Sequence, residues 1–236
     1  MIKGIYTAGR SLEYRTKNID VIANNLANLS TTGYKREVPF SEIINDFGEV
    51  QTKKLTSQQQ GDIIQTSNQL DLAISGNGFF ALRNEEGNIE LTRDGRFKIS
   101  DEGFLVDNAN RKVMGKRGDI SLDEILRNKI AVVLVTKEGE IKIGDKVIDS
   151  ILVLNVENSS ELLRSGGSNF LTDGQEYFAV PEGGYGISQG FLENANTNPI
   201  VEMEAMIQLN KEYESTQKII AALDKSLEQA NEVGRV

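Results

Sequence analysis

The chain has 236 residues, 39% hydrophobic, 26% charged and 6% aromatic, with no Trp and a net charge of −9. That length suits one large or two modest domains, and an acidic chain poor in aromatics argues against nucleic-acid partners, which require cationic and stacking surfaces. Cys and His are both absent, which excludes disulfides, thiolate or imidazole metal sites and nucleophile–His catalysis. With 35 Asp and Glu a carboxylate-pair hydrolase stays open, although no metal, cofactor or small-molecule substrate is expected.

The first element spans residues 1–33. Ile5, Leu12, Ile19 and Leu26 are each seven residues apart. Ala8, Ile22 and Leu29 widen this stripe on one side, and Ile2, Gly9 and Ala23 on the other. That period predicts a long amphipathic helix. It closes at Ser30-Thr31-Thr32-Gly33, where Gly33 is free to take a positive φ. Asn24, Asn25 and Asn28 fall inside it, although Asn is a poor helix former because its amide competes for backbone groups. Either the helix frays there, or the amides bond between helices or subunits and fix register, as buried Asn does in coiled coils. No continuous apolar stretch marks a cleavable signal peptide, and no apolar run approaches the ~20 residues of a membrane span.

Residues 34–70 read as an extended connector. Pro39 biases Val38 to an extended conformation, residues 41–47 suggest a short helix, and residues 51–70 are polar with few apolar positions. From 71 to 192 short apolar runs alternate with turns. Gly76-Asn77-Gly78, Asp94-Gly95, Glu102-Gly103, Gly139 and Gly144-Asp145 supply hairpin corners. Short helices are expected at 121–127 and 159–164, and strands near 130–136, 140–143, 146–148, 151–156, 176–180 and 186–192. Closely spaced hairpins imply an antiparallel β-rich domain.

Residues 193–236 form the last element. Asn198 can cap a helix and Pro199 can open it. Met206, Leu209, Tyr213, Thr216, Ile220, Leu223, Leu227 and Ala230 alternate three and four apart, a heptad seam over about 32 residues, or roughly 48 Å of helix. A rod of that length needs a partner along its stripe, and the first helix has the same period. Residues 1–30 hold four cations and two acids, a net +2, whereas residues 199–230 hold three Lys and six acids, a net −3. Exposed ion pairs are weak, so the apolar seams must supply most of the pairing. Two bundle helices packed on one domain would show the same stripes, but few other helices exist to bundle with. The expected fold is α+β: long terminal helices paired in a coiled-coil-like stalk around a central antiparallel β-rich domain.

Signals for chemistry are weak. Gly76-Asn77-Gly78 lacks the third glycine and Lys of a phosphate loop, and Asp107-Asn108-Ala109-Asn110 lacks the glycine and Glu of a calcium loop. Asp94, Asp101, Glu102 and Asp107 could pair as carboxylates, yet each sits at an expected turn.

Several motifs carry a resemblance. Asn24-Asn25-Leu26-Ala27-Asn28 with Thr32-Gly33-Tyr34-Lys35, Asp71-Leu72-Ala73-Ile74-Ser75-Gly76-Asn77-Gly78-Phe79-Phe80, and Thr92-Arg93-Asp94-Gly95-Arg96-Phe97 with Gly103-Phe104-Leu105-Val106 follow in order. Gln189-Gly190-Phe191-Leu192-Glu193 and Glu202-Met203-Glu204-Ala205-Met206-Ile207 close the set. Together they resemble the bacterial flagellar rod and hook proteins, most closely the proximal rod and next the distal rod. The chain departs at Asn194-Ala195-Asn196-Thr197-Asn198, where the family usually has Ser-Asn-Val-Asn. The resemblance implies a non-enzymatic subunit of the axial drive shaft, with its terminal helices as an inner tube. It also implies copies of itself and neighbouring rod and hook proteins as partners, and export by the flagellar type III apparatus without a cleaved signal. The residues expected to pair the helices and mediate assembly are Ile5, Leu12, Ile19, Leu26, Asn24, Asn25, Asn28, Met206, Leu209, Tyr213, Ile220, Leu223 and Leu227. A carboxylate-dependent peptidoglycan hydrolase and a coiled-coil adaptor outside the flagellum are the alternatives.

Overall fold

The computed structural model describes residues 2–44, 50–123, 132–172 and 176–233. The fold is α+β, and the backbone divides into two compact units. One comprises Met1–Ala27, Glu37–Leu55 and Thr197–Val236; the other comprises Asn28–Arg36 and Thr56–Asn196.

The first, helical unit contains α1 (Ile2–Ala27) and α2 (Pro199–Val233), with β1 (Glu37–Ile44) paired to β2 (Val50–Thr56). α2 starts where its cap residues demand. Asn198 Oδ1 accepts from the N–H of Ile200 at 3.0 Å and of Val201 at 3.4 Å, and Pro199 follows where a missing N–H costs nothing. The two helices run antiparallel. A Cβ on Gly4 would lie 3.7 Å from Leu223, Arg15 pairs with Glu212, and Asn25 bonds Glu202. Eleven residues up α1 therefore match eleven down α2, and ten more match ten. Hydrogen bonds from Gln208 and then Arg15 hold the Glu212 carboxyl below the usual carboxylate range.

The second, strand unit is built on a central strand buried on both faces. β5 (Phe79–Arg83) follows β3 (Ile63–Gln65) and β4 (Leu72–Gly76), and pairs with β6 (Ile89–Thr92), Lys112–Gly115 and Val153–Val156. Phe80 and Leu82 point into one core with Leu72, Ile74, Phe97, Val113 and Val153, while Phe79 and Ala81 enter a second with Leu91, Leu154, Val156 and Phe170. A strand covered on both sides reads as an unbroken apolar run, which is why Phe79-Phe80-Ala81-Leu82 shows no alternation. Phe80 meets Phe97 edge to face at 5.1 Å between centroids. Phe80→Ala is expected to cost about 3–5 kcal/mol, read as a shift in the urea midpoint of the strand unit.

Several local expectations change. Residues 37–44 and 50–56, within the expected connector, are paired strands, and 41–44 are strand rather than helix. Pro39 does not prevent this because a two-stranded sheet leaves each strand an open edge where a missing N–H is tolerated. Residues 159–161 form one 3₁₀ turn, but Leu163–Gly166 continues as a strand in a hairpin with Asn169–Leu171. Gly166 and Gly167 turn it with φ of 146° and 55°. Residues 45–47 and 124–127 of the expected helices, and 130–131 of an expected strand, lie outside the described residues.

Candidate functional site

Three charged side chains meet inside the strand unit. Lys35 and Glu193 are each 0% exposed and Arg93 is 4% exposed. Glycine brings Lys35 and Arg93 together. Gly33 has φ +66°, and a Cβ there would stand 2.3 Å from the Asp94 nitrogen, so the 33–35 segment can lie against the 93–94 turn only without a side chain. Glu193 ends the strand Phe191–Glu193, whose pairing with β3 sets it opposite Ile63.

Glu193 Oε1 accepts from Lys35 Nζ at 2.6 Å and from the Gly61 N–H at 3.0 Å, and its Oε2 accepts from Arg93 Nη1 at 3.1 Å. Lys35 also donates to Gln59 O at 2.7 Å, and Arg93 to Ile74 O at 3.3 Å and Gly76 O at 2.7 Å. Arg93 lies 5.4 Å over the Phe79 ring. Two cations thus share one carboxylate, and three backbone carbonyls and a ring face offset the excess charge. Burial pushes the Lys35 ammonium below its usual range, opposed by the Glu193 charge, and the Arg93 guanidinium shifts down for the same reason.

The surrounding hydrogen bonds tie together the segments that carry these side chains. Gly33 N–H donates to Glu193 O at 2.7 Å, Asn194 N–H to Asp62 O at 2.8 Å, and Ser57 N–H to Arg36 O at 2.8 Å. Asn196 accepts from the Arg36 N–H at 2.6 Å and donates to Ser57 O and Gln59 O. Arg164 stacks on Tyr34 at 4.2 Å and donates to Lys35 O. Chemically this cluster holds rather than reacts. Its only carboxylate is saturated by three N–H donors and closed to solvent, so it has no reach to a substrate.

The carboxylates considered for catalysis serve turns. Asp94 pairs with Arg96 at 2.6 Å, and Asp107 accepts from the Ala109 and Arg111 N–H groups and from the Arg111 guanidinium. Asp101 and Glu102 are exposed at a hairpin corner. Among the described residues, no group of three or more acidic side chains converges to hold a metal.

In the helical unit, Ile5, Leu12, Ile19 and Leu26 are half-buried, and so are Met206, Leu209, Tyr213, Ile220, Leu223 and Leu227. The deepest positions of α1 lie one residue round from the heptad: Asn18, Val21, Ile22 and Asn25 are buried. The three asparagines separate. Asn25 Nδ2 donates to Glu37 O at 2.8 Å and to Glu202 Oε2 at 3.2 Å, and its Oδ1 accepts from Glu37 N–H at 2.9 Å. Asn24 is exposed, and half-buried Asn28 accepts from Thr31 Oγ1 at 3.1 Å.

Sequence reasoning missed Lys35, Arg93, Glu193 and Glu202 as functional positions. The available signal was placement: Lys35, Arg93 and Glu193 each sit inside a recognised motif beside a residue the structure buries, Tyr34, Thr92 and Leu192, whereas Glu202 lies between exposed Val201 and Met203 and gave no such signal.

A helix pair, a strand-rich unit and a buried charge cluster whose groups hold chain segments together are the features of a structural protein. Family comparisons agree. Residues 5–35 match the model described as flagella basal body rod protein, residues 73–143 the flagellar hook protein FlgE/F/G D1 domain, and residues 188–233 the flagellar basal body rod FlgEFG protein C-terminal region. The chain is 30% identical to the flagellar basal-body rod protein FlgG of Borreliella burgdorferi over 269 aligned residues, covering 100% of both. It is 27% identical to FlgF of Mesorhizobium japonicum over 238 residues, covering 98% of this chain and 97% of that one. It is 29% identical to FlgF of Buchnera aphidicola from Schizaphis graminum over 253 residues, covering 100% and 99%. The chain belongs to the flagellar basal-body rod protein family. It is a structural subunit, not an enzyme.

Proposed function

We propose that this subunit self-assembles through its terminal helices into the axial shaft of the flagellum and carries torque along it. The observation that carries the reading is the antiparallel packing of the two chain ends in matched steps. A stiff, doubled helix built from both termini suits a load-bearing element. The stripes at Ile5, Leu12, Ile19 and Leu26 and at Met206, Leu209, Tyr213, Ile220, Leu223 and Leu227 act in this reading as a coiled-coil seam. Asn25 fixes its register.

Neighbouring rod and hook proteins and the type III export apparatus are the further partners in this reading. A proximal place in the rod fits the short span between Lys35 and Asp71.

Electron microscopy of a strain lacking this chain tests the reading: basal bodies should lack a complete rod, and normal filaments with normal motility would contradict it. Leu223→Asp places a charge in the half-buried stripe of α2. It should abolish incorporation into basal bodies while far-ultraviolet circular dichroism still reports the strand unit; loss of the strand signal would contradict that division of roles.

A further inference from the structure

The turn before β5 holds the chain's one Asn-Gly pair, Asn77-Gly78. Asn is a thermolabile residue. Its side-chain amide is lost fastest where the next residue has no side chain to screen the peptide nitrogen. Packing demands glycine at 78. Its φ is +117°, and a Cβ there would stand 2.5 Å from Val153 Cγ1 and 3.0 Å from Val180 Cγ2. A bulkier residue after Asn77 is therefore closed to this fold, and the fold cannot screen the pair in that way.

The reacting atoms are also unrestrained. Asn77 is exposed, and among the described residues no hydrogen bond engages its amide or the Gly78 N–H. Other asparagines are held or screened. The side chains of Asn25, Asn84 and Asn196 are hydrogen-bonded, and Asn88 and Asn110 are followed by Ile89 and Arg111.

We propose that Asn77 is a modification site, converting without an enzyme to isoaspartate. Hydroxide takes the Gly78 amide proton, and the nitrogen attacks Asn77 Cγ. That C–N bond forms, the bond to the side-chain nitrogen breaks, and ammonia leaves with a proton from water. The product is a five-membered succinimide. Water then opens either of its carbonyls, giving aspartate or, by attack at the main-chain carbonyl, isoaspartate. Water is the only co-reactant. Both products add a carboxylate, and isoaspartate also adds one atom to the main chain just before β5. Phe79 opens that strand at 2% exposure, opposite Leu154 and edge-on to Phe170 at 5.8 Å between centroids. Register is strongly specified where a strand is buried, so the extra atom displaces Phe79 against Leu154 and weakens the strand unit.

The test uses the full chain, held warm at neutral and at mildly alkaline pH. Purified L-isoaspartyl methyltransferase with S-adenosylmethionine labels the product, and peptide mapping by mass spectrometry places it. Isoaspartate should accumulate at residue 77 ahead of every other asparagine, at a rate that rises in proportion to hydroxide. Asn77→Ser should lose this label to background with circular dichroism unchanged. The isoaspartyl form, separated by its added charge, should unfold at a lower urea midpoint than fresh chain, whereas Asn77→Ser held under the same conditions should not shift. The mapping needs no variant, so it decides even if Asn77→Ser folds poorly. An intact Asn77 after a period in which urea-unfolded chain has reacted would overturn the proposal, because the fold would then shield the pair. Isoaspartate accumulating first at another residue would overturn it too. An unchanged midpoint in the isolated isoaspartyl form would overturn the effect on β5.

Discussion

Glu193→Gln is expected to destabilise the strand unit by about 3–5 kcal/mol, because it leaves Lys35 and Arg93 buried without their counter-charge. Glutamine keeps the shape but not the charge, and its NH₂ would face a donor on one side. The wild-type carboxylate accepts from Lys35, Arg93 and the Gly61 N–H together, so one substitution disturbs three segments of chain. Urea unfolding should show a lowered midpoint. Adding Lys35→Met to Glu193→Gln should recover part of the loss, since one uncompensated cation is removed; the two sites are in contact and their effects will not add. By contrast, Lys116→Gln breaks a 2.7 Å pair with Glu182 whose side chains are 45% and 72% exposed, and should leave the midpoint unmoved.

Asn25→Leu is the second large effect, in the helical unit. The amide satisfies both backbone groups of Glu37 and one oxygen of Glu202, and all three residues are buried. Leucine restores apolar volume but not these bonds, and each buried group left unmatched costs about 1–3 kcal/mol. The expected result is a clear drop in the melting temperature of the helical signal. Asn24→Ala, one residue away on the exposed face, should be neutral or slightly stabilising, because Ala is the better helix former. Equal losses from the two variants would contradict the assigned role of Asn25.

The contrast between these neighbours shows what the sequence could and could not convey. Period seven located both helices, and Asn198-Pro199 located the start of α2, because those signals are local. The hairpin corners at Gly103, Gly139 and Gly144 were legible for the same reason: a positive φ restricts the residue at the corner itself. Gly76–Gly78 and Asp94-Gly95 turn the chain without joining paired strands, because β4 pairs with Tyr185–Gln189 and β6 with β5 and Asn169–Leu171. Residues 163–164 of the expected 159–164 helix belong instead to the Leu163–Gly166 strand, because the pairing with Asn169–Leu171, itself paired to β6, is tertiary, and six residues are too few for period to arbitrate. The β1–β2 pair was obscured by a polar composition that reads as linker. The charge cluster was the least legible part. Lys35, Arg93 and Glu193 lie far apart in sequence, and each alone looks like an ordinary surface charge. Their shared burial follows only from Gly33 against Asp94 and from the pairing of Phe191–Glu193 with β3. Likewise, period shows that Asn25 lies near a stripe, but only the position of Glu37 and Glu202 shows that its amide is used.

The proposed function rests on one physical claim, that both ends of this chain form a load-bearing helix pair within an axial assembly. Cryo-electron microscopy of basal bodies isolated from cells carrying a tagged copy tests this most directly. The account predicts many copies in the rod, each with α1 and α2 antiparallel and nearest the axis. Density showing the tagged chain off the axis, or either terminus as extended strand, would contradict it.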